Sequence, residues 1–133
     1  MAVAWIRNQV GIVTGASRGI GKAIAQRLSC DGMRLVIAAR SAEALAEVAA
    51  GCSSECVALP LDLREPEAAQ RLIDQALARF GRLDLLVNNA GATKRGDFLE
   101  LTEADWEDGF ALKFFGGMRC ARAAWPHLAR TGG

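Results

Sequence analysis

Thr14, Gly15, Ala16, Ser17, Arg18, Gly19, Ile20 and Gly21 stand between a short apolar run and a stretch of helical apolar period. Three glycines spaced G-x3-G-x-G at such a junction leave out Cβ atoms where a ligand must approach the backbone. Free N–H groups at the start of the following helix face negative charge. The pyrophosphate of a dinucleotide needs both features. The spacing differs from the better-known G-x-G-x-x-G, and the plainer alternative is a glycine-rich turn of any α/β protein. A strand before it and a helix after it favour the dinucleotide.

A second cluster, Leu85-Leu86-Val87-Asn88-Asn89-Ala90-Gly91, lies where a later strand runs out. Ligands of open parallel sheets bind at the carboxyl ends of strands, beside the topological switch point. Two adjacent asparagines there can hold neighbouring strand ends, and Ala90 and Gly91 leave space for a ribose. Charge then bears on the choice of cofactor. An acid at the end of the second strand suits a free ribose 2′-OH, whereas a 2′-phosphate wants arginine. Here Val36-Ile37-Ala38-Ala39 ends in Arg40, and Arg18 sits in the glycine loop. NADP(H) is therefore expected over NAD(H).

The elements that must position these residues follow from apolar patterning. Val10–Thr14, Leu35–Ala39, Cys56–Leu61 and Leu83–Val87 are short continuous apolar runs, as expected of parallel strands covered on both faces. Between them Ile20, Ile24 and Leu28 recur at helical spacing. Ser41 can cap a helix carrying Leu45, Val48 and Ala49 that stops at Gly51. A third helix places Pro66 in its first turn, puts Ala69, Leu72, Ile73, Ala76, Leu77 and Phe80 on one face, and ends at Gly81. A fourth begins at Thr102, with Asp105 completing a variant capping box, and runs to about Ala129. At 100° per residue its apolar arc holds Trp106, Phe110, Phe114, Gly117, Ala121, Ala124 and Trp125, with Lys113 inside it, where a solvent outlet for the ammonium is the plain reading. The β-α alternation implies a parallel sheet with right-handed crossovers.

Composition narrows the class. With 133 residues, 51% hydrophobic and 23% charged, the chain is expected to form a single domain, not a disordered one. A net charge of +1 gives no reason to expect nucleic acid as a partner. Four cysteines and one histidine make neither a disulfide scaffold nor a zinc site, so no metal is expected and reduced thiols fit a cytoplasmic setting. The apolar patch Ala2–Ile6 is too short for a signal or a membrane span. Tyrosine is absent.

In Thr-Gly-x3-Gly-x-Gly and Asn-Asn-Ala-Gly the chain resembles the short-chain dehydrogenases/reductases, and the likeness runs across nearly all of it. The resemblance implies a Rossmann-like doubly wound sheet, truncated here to about four strands with flanking helices. It also implies NAD(P)-dependent interconversion of a small-molecule carbonyl and alcohol, commonly in a homo-oligomer. The cofactor contacts carried over are Thr14, Gly15, Ser17, Arg18, Gly19, Ile20, Gly21, Asn89, Ala90 and Gly91, with Asp62 and its neighbour Leu63 at the adenine. Asp62 also fits the plain role of a turn or capping aspartate. Lys113 occupies a position where the family usually has an asparagine supporting a water chain. The family's catalytic Ser and Tyr-x-x-x-Lys would lie beyond Gly133, so residues 1–133 are expected to be one incomplete cofactor-binding domain with no catalytic residue of its own. The alternatives are a non-catalytic nucleotide-binding module or an inactive truncated product. With sheet order 3-2-1-4, Leu83–Asn88 should form an edge and the fourth helix should keep an exposed apolar stripe.

Overall fold

A computed structural model describes residues 4–133; Ala2 and Val3 of the N-terminal apolar patch lie outside the described residues. After a short 3-10 turn at Ala4–Ile6, the elements are β1 (Val10–Thr14), α1 (Gly19–Cys30), β2 (Arg34–Ala39), α2 (Ala42–Ala50), β3 (Cys56–Pro60), α3 (Ala68–Phe80), β4 (Leu85–Val87), α4 (Glu103–Phe110) and α5 (Gly117–Thr131). A π-helical segment, Ala111–Gly116, joins α4 to α5. The strands form one parallel sheet in the order β3-β2-β1-β4, with Ile12 facing Val36 on one side and Leu86 on the other.

Both faces of this sheet are covered, which is why its strands read as unbroken apolar runs. On one face Val10, Ile12, Val36 and Ala38 pack with Leu72, Ile73 and Ala76 of α3 and Cys120 and Ala124 of α5. On the other, Val13, Leu35 and Ile37 meet Ala25 of α1 and Leu45 and Val48 of α2. Each large side chain buried this way contributes ~1.5–3 kcal/mol. Truncating the fully buried Ile12 to Ala would cost ~2–5 kcal/mol.

Local signals in the sequence account for several boundaries. Ser41 Oγ accepts from the Ala44 N–H at the start of α2, and Gly81, at φ 74°, closes α3 in the left-handed conformation. Thr102 and Asp105 exchange both bonds of a capping box.

Four expectations need correction. The fourth strand is Leu85–Val87, because Leu83 and Asp84 precede the ladder: Asp84 N–H bonds Val10 O, and its carboxylate takes the Val10 N–H, both at 2.8 Å. Pro66 lies in a turn before α3, whose N-cap is Glu67. Ile20 is 73% exposed, and α1 instead buries Gly21, Ala25 and Ser29. Of these, Gly21 lets the helix lie close on the glycine loop, where a Cβ would meet Gly15 O. The fourth helix, expected to run unbroken from Thr102, is instead α4, the π segment and α5. Gly109, Gly116, Cys120 and Ala124, spaced seven, four and four, face inward. Trp106, Phe110, Phe114 and Trp125 form the exposed stripe expected of it, at 45–72%.

Candidate functional site

The carboxyl ends of β1, β2 and β4 and the loop after β3 surround a cleft of about 400 Å³. Its floor is set by a tie between two strand ends. Thr14, only 1% exposed, accepts on Oγ1 from the N–H groups of Asn89 (3.1 Å) and Ala90 (3.0 Å) and donates to Val87 O (3.3 Å). Asn89 Nδ2 returns two bonds, to Thr14 O at 3.1 Å and Gly15 O at 3.2 Å. Asn88 reaches the other way, donating to Gly117 O at 3.1 Å. The two asparagines therefore fix β4 to β1 and to α5.

The glycine loop is shaped by close approach. A Cβ on Gly21 would stand 2.2 Å from Gly15 O and 2.5 Å from Asn89 Nδ2, and one on Gly15 would meet Ala90 Cα at 2.9 Å. Gly15 (φ 64°) and Gly19 (φ 58°) also adopt backbone that L side chains disfavour. Around Gly19 there is open space within 4 Å of such a Cβ. The N-cap of α1, Arg18, makes no side-chain cap bond, unlike Ser41 and Thr102 on their helices. An uncapped helix start over an open glycine is a cradle for an anion. On these grounds the residues fit a dinucleotide pyrophosphate.

Of the expected contacts, Gly15, Ser17, Arg18, Gly19, Ile20, Arg40, Asp62, Leu63, Asn89, Ala90 and Gly91 line the cleft. Thr14 and Gly21 do not; they lie beneath it and set its shape. The exposure of Ile20 now has a purpose, as an apolar wall beside the loop. Asp62 arrives already engaged. Arg64 binds it through its backbone N–H and through Nε and Nη2, with Nη2 to Oδ2 at 2.6 Å. These bonds from Arg64 hold the Asp62 carboxyl below its ordinary range. The same arginine reaches Asp108 of α4 at 2.8 Å, so Arg64 joins the loop after β3 to α4. No motif in the sequence marks it.

Ala38, Ala39, Leu61, Ala92 and Leu112 also line the cleft and were not expected. The first three end β2 or follow β3, where the doubly wound geometry alone could have pointed to them. Leu112 comes from the π segment, which no sequence signal announces. Lys113 is exposed, as a solvent outlet requires. Its Cγ lies 3.5 Å from where a Cβ of Gly91 would stand, so its stem passes beside the cleft wall.

An open parallel sheet with helices on both faces and a glycine cradle at the switch point defines a Rossmann-type dinucleotide fold. Comparison with known proteins refines the class. The short chain dehydrogenase family matches residues 9–133, and the chain belongs to that family. A Streptomyces violaceoruber protein named as ketoacyl reductase 2 of a granaticin polyketide synthase is 41% identical over 127 residues, covering 92% of this chain and 51% of that protein. Meso-2,3-butanediol dehydrogenase of Serratia marcescens is 34% identical over 127 residues, covering 95% and 51%. Among solved structures, a metagenomic short-chain oxidoreductase in complex with NADP superposes with TM-score 0.86 at 36% identity, over 95% of this chain and 59% of that one. The chain spans about half the length of the curated relatives it matches.

Proposed function

We propose that this chain forms the dinucleotide-binding half of an NADP(H)-dependent oxidoreductase acting on a small-molecule carbonyl or alcohol. The bound cofactor would supply or accept hydride. The chain's own residues would bind and orient it: α1 and Gly19 at the pyrophosphate, Arg18 and Arg40 at the 2′-phosphate, Asp62 and Leu63 at the adenine, Ala90 and Gly91 at the nicotinamide ribose. The observation that carries this reading is the convergence of Arg18 and Arg40 on one cleft with the open glycine loop. A guanidinium holds phosphate through paired charge-assisted bonds.

Proton transfer, which the family resemblance gives to a tyrosine, finds none among these 133 residues. We therefore assign that step to a further segment of the intact protein, and expect the 133-residue chain alone to bind cofactor without turnover. The exposed aromatic side of α4 and α5 supports a homo-oligomer for the intact protein. Among the described residues no helix is long and apolar enough to cross a membrane. The free thiols support a reducing, cytoplasmic setting.

Titration of the chain with NADPH and NADH tests the cofactor assignment. The expected result is NADPH binding tighter by at least about tenfold, with the preference lost in Arg40→Asp. Tighter NADH binding, or an unchanged preference in that variant, would contradict it.

A further inference from the structure

Asp62 and Arg40 line the same cleft. The bonds from Arg64 chiefly hold the Asp62 carboxyl below its ordinary range, and the nearby charge of Arg40 adds to them. A carboxylate so close to a guanidinium is an obvious ion-pair partner for it. Yet among the described residues no bond joins Asp62 to Arg40, because Asp62 is taken by Arg64. The Arg64 backbone N–H and Nε each reach Oδ1 at 3.0 Å, and Nη2 reaches Oδ2 at 2.6 Å. A carboxylate offers about four lone-pair sites, so one residue fills most of them. Arg64 itself does not line the cleft, and its Nη1 donates to Asp108 Oδ1 at 2.8 Å, which ties the other edge of the guanidinium to α4.

We propose that Arg64 is a positioning residue for cofactor choice: by holding and neutralising Asp62, it keeps that carboxylate from opposing a phosphate at Arg40. The proposal rests on the reading of Arg40 as the 2′-phosphate contact. Without Arg64, the Asp62 side chain is free to turn onto Arg40, and its charge stands uncompensated beside the incoming dianion. Both effects weaken the hold on a 2′-phosphate and leave the hold on a ribose 2′-OH as it was. Cofactor choice is a difference of two affinities, so a residue outside the cleft can set it through one that lines the cleft.

The ratio of NADPH to NADH affinity tests this, measured by titration of the wild-type chain, Arg64→Met, and Arg64→Met combined with Asp62→Asn. The wild type should prefer NADPH. Arg64→Met should reduce the preference by about two- to fivefold, the scale of one exposed ion pair, and the added Asp62→Asn should restore it. Arg64→Lys, which keeps the charge and one donor, should lie between, and it carries the test if Arg64→Met does not fold. An unchanged ratio in Arg64→Met overturns the proposal and leaves the Arg40 reading in place. So does an equal loss of affinity for both cofactors, the mark of a purely structural role. A lost preference that Asp62→Asn fails to restore also overturns it, by putting Arg64 on the phosphate itself. A wild type with no preference for NADPH overturns the Arg40 reading, and this proposal with it.

Discussion

Thr14 and Asn89 bond to each other in both directions: the Thr14 hydroxyl accepts the Asn89 N–H at 3.1 Å, and Asn89 Nδ2 donates to the Thr14 carbonyl at 3.1 Å. The pair joins the ends of β1 and β4, the two strands that sequence separates most widely, and sets the floor of the cleft between them.

Thr14→Val keeps the shape and removes the hydroxyl that serves the Asn89 and Ala90 N–H groups. The Asn89 N–H still reaches Val87 O at 3.1 Å, but the Ala90 N–H loses its acceptor, so stability in urea should fall by about 1–3 kcal/mol. An unchanged unfolding midpoint would mean that the strand ends are held some other way.

Two alanine substitutions in the glycine loop should separate close approach from open space. Gly21→Ala drives a Cβ to 2.2 Å from Gly15 O, a backbone atom with little freedom to yield. Gly19→Ala meets nothing within 4 Å and bears only the cost of a positive φ, ~1–2 kcal/mol. Thermal unfolding should therefore show the larger loss for Gly21→Ala. The opposite order would contradict the packing of α1 on the loop.

What the sequence revealed of this site depends on how local each signal is. The strands were legible because burial on both faces leaves unbroken apolar runs, and Ser41, Gly81 and the Thr102–Asp105 box announce helix ends through bonds within a few residues. The link from Arg64 to α4 was not legible: Asp62 is only two residues away, but Asp108 meets the guanidinium only after α4 has packed beside the β3 loop. The inner face of α4 through α5 was missed for a different reason. Gly109, Gly116, Cys120 and Ala124, which pack inward, are small, so the apolar pattern marked the aromatic side beside them. Ile20 misled in another way, its apolar character serving the cleft and not the core.

Stability should also depend on pH through Asp84. Burial alone raises its pKa, but the Arg82 side chain and the Val10 N–H outweigh this, and the net direction is downward. A carboxyl lower in the folded state than its ordinary value of about 3.9 stabilises the fold above that value and loses this contribution as pH falls through the folded one. Asp84→Asn should therefore destabilise at pH 7, by about 1–3 kcal/mol, and the difference from wild type should shrink as the medium is acidified below about pH 4. A difference that stays constant down to pH 2 would contradict the assignment.

The outer side of α4 and α5 should make the 133-residue chain self-associate. Trp125 is 72% exposed, Phe114 58% and Phe110 53%, large apolar side chains left open to water. Sedimentation should show concentration-dependent association, weakened by Trp125→Glu. A chain that stays monomeric at high concentration would exclude this face as an interface between copies.

Binding in the glycine-loop cleft is tested most directly by following backbone amide resonances while NADPH is added. The account predicts the largest shifts at Gly15–Gly21, Arg40, Asp62 and Ala90–Gly91, with the far ends of the strands, around Val10 and Arg34, unmoved. Shifts centred elsewhere, or none at millimolar NADPH, would contradict it.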